Sequence, residues 1–188
     1  MNTQNPCSTQ AKSLAAATVA ALTVTAMLCA GPAAANSGHG AELRSENREI
    51  RDQLSMLQKA TAAFNSYDVA SAAGWNAMIS DCVSSPAGAM GYHIANLEAL
   101  EGSPFELNLL RPEVLLYAPL PDGSMEFLGV EYIVPYTPDN ASTPPEMLGQ
   151  VLQYNPHLEI WALHVWTERH NPEGIFAPFN PEVSCPVD

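Results

Sequence analysis

Apolar residues recur at a helical interval along residues 41–64. Leu43, Ile50, Leu54, Leu57 and Phe64 fall near one face, while Glu42, Glu46, Arg48 and Asp52 occupy the other. The spacing predicts an amphipathic helix, preceded by a flexible leader over residues 36–40. Asn65 and Ser66 break the pattern, and Ser66 or Asp68 is suited to cap a second, shorter helix running to about Ile79, although Gly74 falls inside it. Further along, the period changes to that of strands. Residues 114–118 and 125–134 are apolar runs separated by Pro121, Asp122 and Gly123, which predicts a β-hairpin. Residues 157–167, carrying Trp161, Leu163, Val165 and Trp166, predict a third strand.

The remaining segments are punctuated by turn formers. Residues 82–111 read as loop with one helical turn near residues 97–100, and residues 136–145 as a Pro-, Asn- and Ser-rich excursion. Residues 146–152 suit a short helix. The tail holds two Asn-Pro steps and reads as ordered coil packed by Ile175, Phe176 and Phe179. Helices first and strands afterwards predict an α+β domain, with an N-terminal helix pair packed on a small antiparallel sheet and long ordered loops. Three strands are few for this length, so a further strand is expected within the irregular stretches.

The N-terminus follows a different pattern. Lys12 precedes an apolar run over residues 14–30, then Gly31, Pro32 and the small residues Ala33, Ala34 and Ala35. This order predicts a signal peptide over residues 1–35, leaving residues 36–188 as a single domain in the periplasm or secreted. A membrane-spanning helix is the rival reading, because the run nearly reaches the necessary length; the Gly-Pro break and the alanines favour cleavage. Leu28 before Cys29 argues against a lipid anchor. No later apolar segment is long enough to span a membrane.

The chain carries a net charge of −13, and cleavage leaves six basic residues against 20 acidic ones. Such a surface repels nucleic acid and anionic lipid. It is compatible with a metal ion or a neutral small molecule, and also with solubility alone. Of four cysteines, Cys7 and Cys29 leave with the signal peptide, and Cys82 and Cys185 pair by default in an oxidising compartment. That bond would join the tail to the end of the helical segment; two thiolate metal ligands are the other reading.

Three ionisable residues stand in apolar surroundings. His93 follows Gly88-Ala89-Met90-Gly91-Tyr92, where the glycines suggest a loop that presents an imidazole. Glu131 is the one carboxylate in Phe127-Leu128-Gly129-Val130-Glu131-Tyr132-Ile133-Val134, and strict alternation puts it on the face of Phe127, Gly129 and Ile133. His164 is the one ionisable group in Trp161-Ala162-Leu163-His164-Val165-Trp166, sharing a face with Ile160, Ala162 and Trp166. Singly, each has a plain alternative: a buried histidine bonded to a carbonyl, or an edge-strand glutamate reaching water. Together, two imidazoles and a carboxylate form a ligand set used by copper, zinc and non-haem iron. Met90 and His170 are possible additional ligands, and Tyr92, Tyr132, Trp166 and Asn171 are candidate pocket residues. No phosphate-binding glycine loop, nucleophile elbow, haem-attachment motif or EF-hand loop occurs. These features imply a metal-binding protein or metalloenzyme; a module binding a small apolar ligand, or an envelope structural protein, remains open.

The segments GAMGYHIAN, RPEVLLYAP, GVEYIVP, LHVW and NPEGIFAPFNPEVSC together resemble a family of exported bacterial proteins to which no activity is attached. The resemblance covers nearly all of residues 36–188. It implies bacterial export, and that His93, Glu131, His164, Asn171, Pro172 and Cys185 lie in the family's defining segments. Thr167 departs from the bulky residue expected after LHVW.

Overall fold

The apolar stripe near the N-terminus winds into one long helix, α1 (Ser37–Thr61), which therefore begins ahead of the expected start and takes in most of the expected leader. The computed structural model describes the backbone of residues 37–186 and the side chains of residues 43–186. The expected signal peptide, with Cys7 and Cys29, lies outside the described residues. Leu57 is fully buried and Leu54 and Phe64 pack on the core, whereas Leu43 is exposed, so only the C-terminal half of the stripe is used.

A 3-10 turn (Ala62–Asn65) leads into α2 (Tyr67–Ala72), which ends well before Ile79. Gly74 stops it: its φ is +107°, a conformation open to glycine, and the amides of Gly74 and Trp75 fold back onto the carbonyls of Ser71 and Ala70. The expected pair of helices on the sheet thus reduces to one long helix and a short one.

The chain then enters strands that the loop reading did not contain. β1 (Ala77–Ser85) and β2 (Gly88–Ala95) form a hairpin around Pro86 and Ala87. A short α3 (Leu97–Gly102) follows, capped by the Asn96 side chain accepting from the Ala99 amide at 3.1 Å. β3 (Val114–Pro119) and β4 (Met125–Pro135) make the expected hairpin. Where a short helix was expected, β5 (Glu146–Met147) and β6 (Gln150–Val151) form a separate ribbon. Leu148 and Gly149 both take positive φ between them, the signature of a tight hairpin turn rather than a helix. β7 (Gln153–Asn155) and β8 (Ile160–Val165) complete a curled six-stranded antiparallel sheet ordered β1-β2-β3-β4-β8-β7.

Both faces of this sheet are apolar, and different parts of the chain cover them. One face carries Ile94, Leu115, Tyr117, Val130, Tyr132 and Leu163 against Leu57 and Trp75 from the helical region. The other carries Ala95, Val114, Leu116, Leu128, Ile133 and Trp166, packed against Val183 of the tail. The alternation in β4 is broken once. Leu116 pairs with Gly129 but Tyr117 pairs with Phe127, so Leu128 is an extra residue, a β-bulge. The bulge sends Phe127 to the helix-covered face, away from Glu131, which corrects the expectation that the two share a face.

The tail is pinned along the second face. Ala89 and Asn180 exchange two backbone hydrogen bonds of 3.1 and 3.0 Å, the Trp166 amide donates to the Ile175 carbonyl at 2.9 Å, and the Trp166 indole donates to the Ala177 carbonyl at 2.6 Å. Cys82 and Cys185 form a disulfide whose Cα atoms are 5.6 Å apart and 103 residues distant in sequence. Its near end is therefore strand β1, not a helix terminus. Closing a loop of this length contributes about 4 to 5 kcal/mol in the chain-entropy account.

Candidate metal centre

His93 lies in strand β2 rather than on a loop. The glycine that made the segment look irregular serves the strand. Gly91, at φ +88°, is buried against the Tyr117 carbonyl of β3, where a side chain would collide. Glu131 of β4 and His164 of β8 are direct cross-strand partners. β3 runs between β2 and β4, with Leu116 opposite His93 and Val114 opposite Glu131. The curl of the sheet lets the long side chains of His93 and Glu131 meet above these two residues.

The three heads converge. His93 Nε2 lies 3.5 Å from Glu131 Oε2, His164 Nε2 lies 3.4 Å from Glu131 Oε1, and the two imidazole planes stand nearly perpendicular with centroids 5.8 Å apart. One donor atom from each residue lies within 4.8 Å of the others. His93, Glu131 and His164 are only 7%, 4% and 7% exposed.

Burial decides their resting protonation. It pushes His93 down to about 4 and His164 down to about 3, the latter helped by the neighbouring His93. It pushes Glu131 up to about 8, with a smaller contribution from the Glu113 carboxylate. Glu113 is itself buried and accepts from the Ile133 amide at 3.1 Å; burial raises it to about 7. A carboxylate facing two imidazoles suggests ion pairs, but distances of 3.4 and 3.5 Å exceed the roughly 2.7–2.9 Å of a charge-assisted hydrogen bond. Desolvation therefore outweighs the attraction, and the resting groups are neutral.

This leaves buried polar atoms without partners. Glu131 Oε2 and His164 Nε2 are fully buried and make no hydrogen bond, a rare condition in a folded interior. The remaining buried atom in that condition, Thr167 Oγ1, has no comparable cluster around it. On the outer side of His93, Ser80 Oγ lies 2.8 Å from Nδ1. With Nδ1–H donating to the serine, the Nε2 lone pair is directed at Glu131, the tautomer a metal ion requires. Ser80 belongs to the unforeseen strand β1, so no sequence pattern pointed to it; the Pro86-Ala87-Gly88 turn was the signal that would have revealed the strand.

The spacing also suits an ion. In a tetrahedral site with metal–ligand bonds of about 2.1 Å, neighbouring ligand atoms lie about 3.4 Å apart. Each imidazole stands at about this distance from one oxygen of the carboxylate, His93 from Oε2 and His164 from Oε1.

The centre forms the floor of a cleft of about 470 Å³. Ile79 and Ser80 approach from β1, Tyr154 and Leu158 from the β7–β8 hairpin, and Pro178 and Phe179 from the tail. Met90 also lines the cleft. His170 is exposed on the tail and stands outside the cluster, holding Asn180 through its carbonyl. The expected pocket residues fall elsewhere, Tyr92 and Tyr132 because strand alternation turns them to the opposite face. Tyr92 and Tyr132 belong to the helix-covered face, where the Tyr132 hydroxyl donates to the Leu109 carbonyl at 2.6 Å. Trp166 is buried under the tail, and Asn171 donates to the Phe179 carbonyl at 2.9 Å, shaping the tail rather than the cleft.

Among the described residues no helix is long and apolar enough to cross a membrane. Set against models of known families, against curated proteins and against solved structures, the chain matches none.

Proposed function

We propose that the protein is an exported metal-binding protein whose centre, built from His93, Glu131 and His164, holds a divalent transition metal with coordination positions left open, as a metalloenzyme would need. The observation that carries this reading is the pair of fully buried, unpartnered polar atoms, Glu131 Oε2 and His164 Nε2, which lie 3.5 Å from His93 Nε2 and 3.4 Å from Glu131 Oε1 respectively. A cation supplies what both lack. Two imidazoles and one carboxylate suit zinc, iron or copper, and three protein ligands leave coordination positions for water or substrate, as catalytic sites do and closed structural sites do not. The cleft above the floor supplies access to those positions.

Export is supported by the N-terminal pattern and by the disulfide, a bond that persists in oxidising compartments. The motif resemblance points the same way. Cleavage near residue 35 would release residues 36–188 to the periplasm or the exterior.

The test is the metal content of protein isolated from the periplasmic or secreted fraction without added ions. About one equivalent of a single transition metal is expected, with His93→Ala and His164→Ala each reducing it to background. Wild-type protein free of metal that also takes up none on dialysis against zinc, iron(II) or copper(II) would refute the reading. N-terminal sequencing of the same sample checks the cleavage.

A further inference from the structure

The walls of the cleft carry information that the metal ligands do not. Among the described residues that line it, the only carboxylate and imidazole side chains are the three at the floor, and no lysine or arginine reaches it. The rest of the wall is mainly Ile79, Val83, Ile133, Leu158, Ile160 and Phe179, drawn from strands, a hairpin turn and the tail. The mouth is equally apolar: Leu158 is 66% exposed, Ile79 45% and Tyr154 42%. Exposed apolar side chains scattered singly need no explanation, but three gathered at the rim of one cleft mark a binding surface. Tyr154 is held there by stacking, with ring centroids 4.6 Å from Tyr136 and 5.3 Å from Trp161.

The charge at the floor sets the second constraint. A doubly charged ion held by two neutral imidazoles and one carboxylate keeps one net positive charge in an apolar setting. A ligand head bearing a single negative charge neutralises it. A second anionic group on the ligand would meet no cation in the walls, and burying an unpaired charge there is costly. The volume of about 470 Å³ falls within the range of small-molecule sites.

Resting on the metal reading above, we infer that the ligand of this cleft is a small molecule with an apolar body and one oxygen-donor head that carries at most one negative charge when bound to the metal. Phosphorylated compounds, dicarboxylates and cationic substrates are disfavoured by the same walls. The head binds at the open coordination positions above His93, Glu131 and His164. The body lies between the β7–β8 hairpin and strand β1, against Leu158 and Ile79.

The experiment uses the full chain loaded with cobalt(II), whose visible spectrum reports ligands entering the coordination sphere. Three probes share one singly charged metal-binding head: acetohydroxamic acid, octanohydroxamic acid and succinic monohydroxamate. Octanohydroxamate adds six methylenes, and with partial burial of these it is expected to bind at least about thirtyfold more tightly than acetohydroxamate. Succinic monohydroxamate, with a carboxylate on its short body, is expected to bind more weakly than acetohydroxamate. Leu158→Asp is expected to reduce the advantage of the long probe to a few-fold while leaving cobalt content unchanged. Protein that takes up cobalt but binds the long and short probes equally overturns this inference alone. Protein that takes up no cobalt refutes the metal reading and this inference with it.

Discussion

The two faces of the sheet bury polar groups in opposite ways. On the helix-covered face every buried tyrosine hydroxyl ends on a carbonyl: Tyr117 donates to Phe64 at 2.6 Å and Tyr132 to Leu109 at 2.6 Å, while the Trp75 indole donates to Pro112 at 3.1 Å. On the tail-covered face, Glu131 and His164 are buried as deeply, yet each keeps an atom without a partner. Leaving such a group unsatisfied costs roughly 1–3 kcal/mol. One face is thus closed in itself, and the other leaves polar atoms at the floor of a cleft that a bound ion could satisfy. The contrast separates the polar groups that the fold itself satisfies from the cluster on which the proposed metal site rests.

Acid should break the second face first. With Glu131 held up at about 8, a metal must displace its proton, so apparent affinity is expected to fall about tenfold per pH unit below 8, about a thousandfold by pH 5. The fall steepens once His93 begins to take up protons near 4. In the metal-free protein the sign is opposite for the carboxyl. Its raised value gives stability that is present below the ordinary 4.5 and is lost as pH rises through 8. The lowered histidines give stability present above 6.5 that is lost as pH falls through 4 and then 3. Titration calorimetry in buffers of different ionisation enthalpy at pH 7 checks the first statement directly, since close to one proton should be released per metal bound.

A packing defect separates the faces next. Leu115→Ala, on the helix-covered face, is expected to cost about 2–5 kcal/mol of unfolding free energy with unchanged metal stoichiometry. Glu131→Gln should do the reverse, abolishing metal binding while changing the stability of the chelated protein by under about 1 kcal/mol, because the group it replaces is already neutral at rest. Denaturant midpoints and metal analysis on the two variants distinguish the roles. If Glu131→Gln unfolded the protein while Leu115→Ala emptied the centre, the assignment of the faces would be inverted.

A smaller effect tests the outer hydrogen bond of the centre. Ser80→Ala removes the partner of His93 Nδ1 and is expected to weaken metal binding about 10- to 100-fold, with little change in the folding of metal-free protein. The smallest lies across the sheet. Tyr132→Phe strands the Leu109 carbonyl and should cost about 1 kcal/mol, with metal affinity unaltered.

The candidate residues were legible because each broke a local rule. His93, Glu131 and His164 are ionisable groups inside apolar runs, and the cost of burying them is a property of residue type that needs no coordinates. The hairpin of β3 and β4 was equally legible, since its turn formers and alternation are local. Strand β1 was not. Its sequence, AMISDCVSS, is polar and bulged, and as a sheet edge it has little need for an apolar repeat. Losing β1 concealed Ser80, Ile79 and the hairpin that makes His93 part of the sheet. The pocket aromatics were misassigned for a related reason: Tyr92 and Tyr132 are each one residue from a site residue, and in a strand one residue is the opposite face.

What the amino-acid sequence by itself determined is therefore the inventory: an amphipathic helix, a central hairpin, a cysteine pair, and three ionisable groups that needed burial with partners. These follow from local periodicity and from the solvation cost of single side chains. Only the tertiary structure decided that the three groups meet. That depends on the curl that brings β2 and β4 together over β3, on the bulge at Leu128 that resets which side chains share a face, and on a tail tied across the sheet to form one wall of the cleft. Curl, register and closure arise from contacts between segments distant in the chain, and no local pattern encodes them.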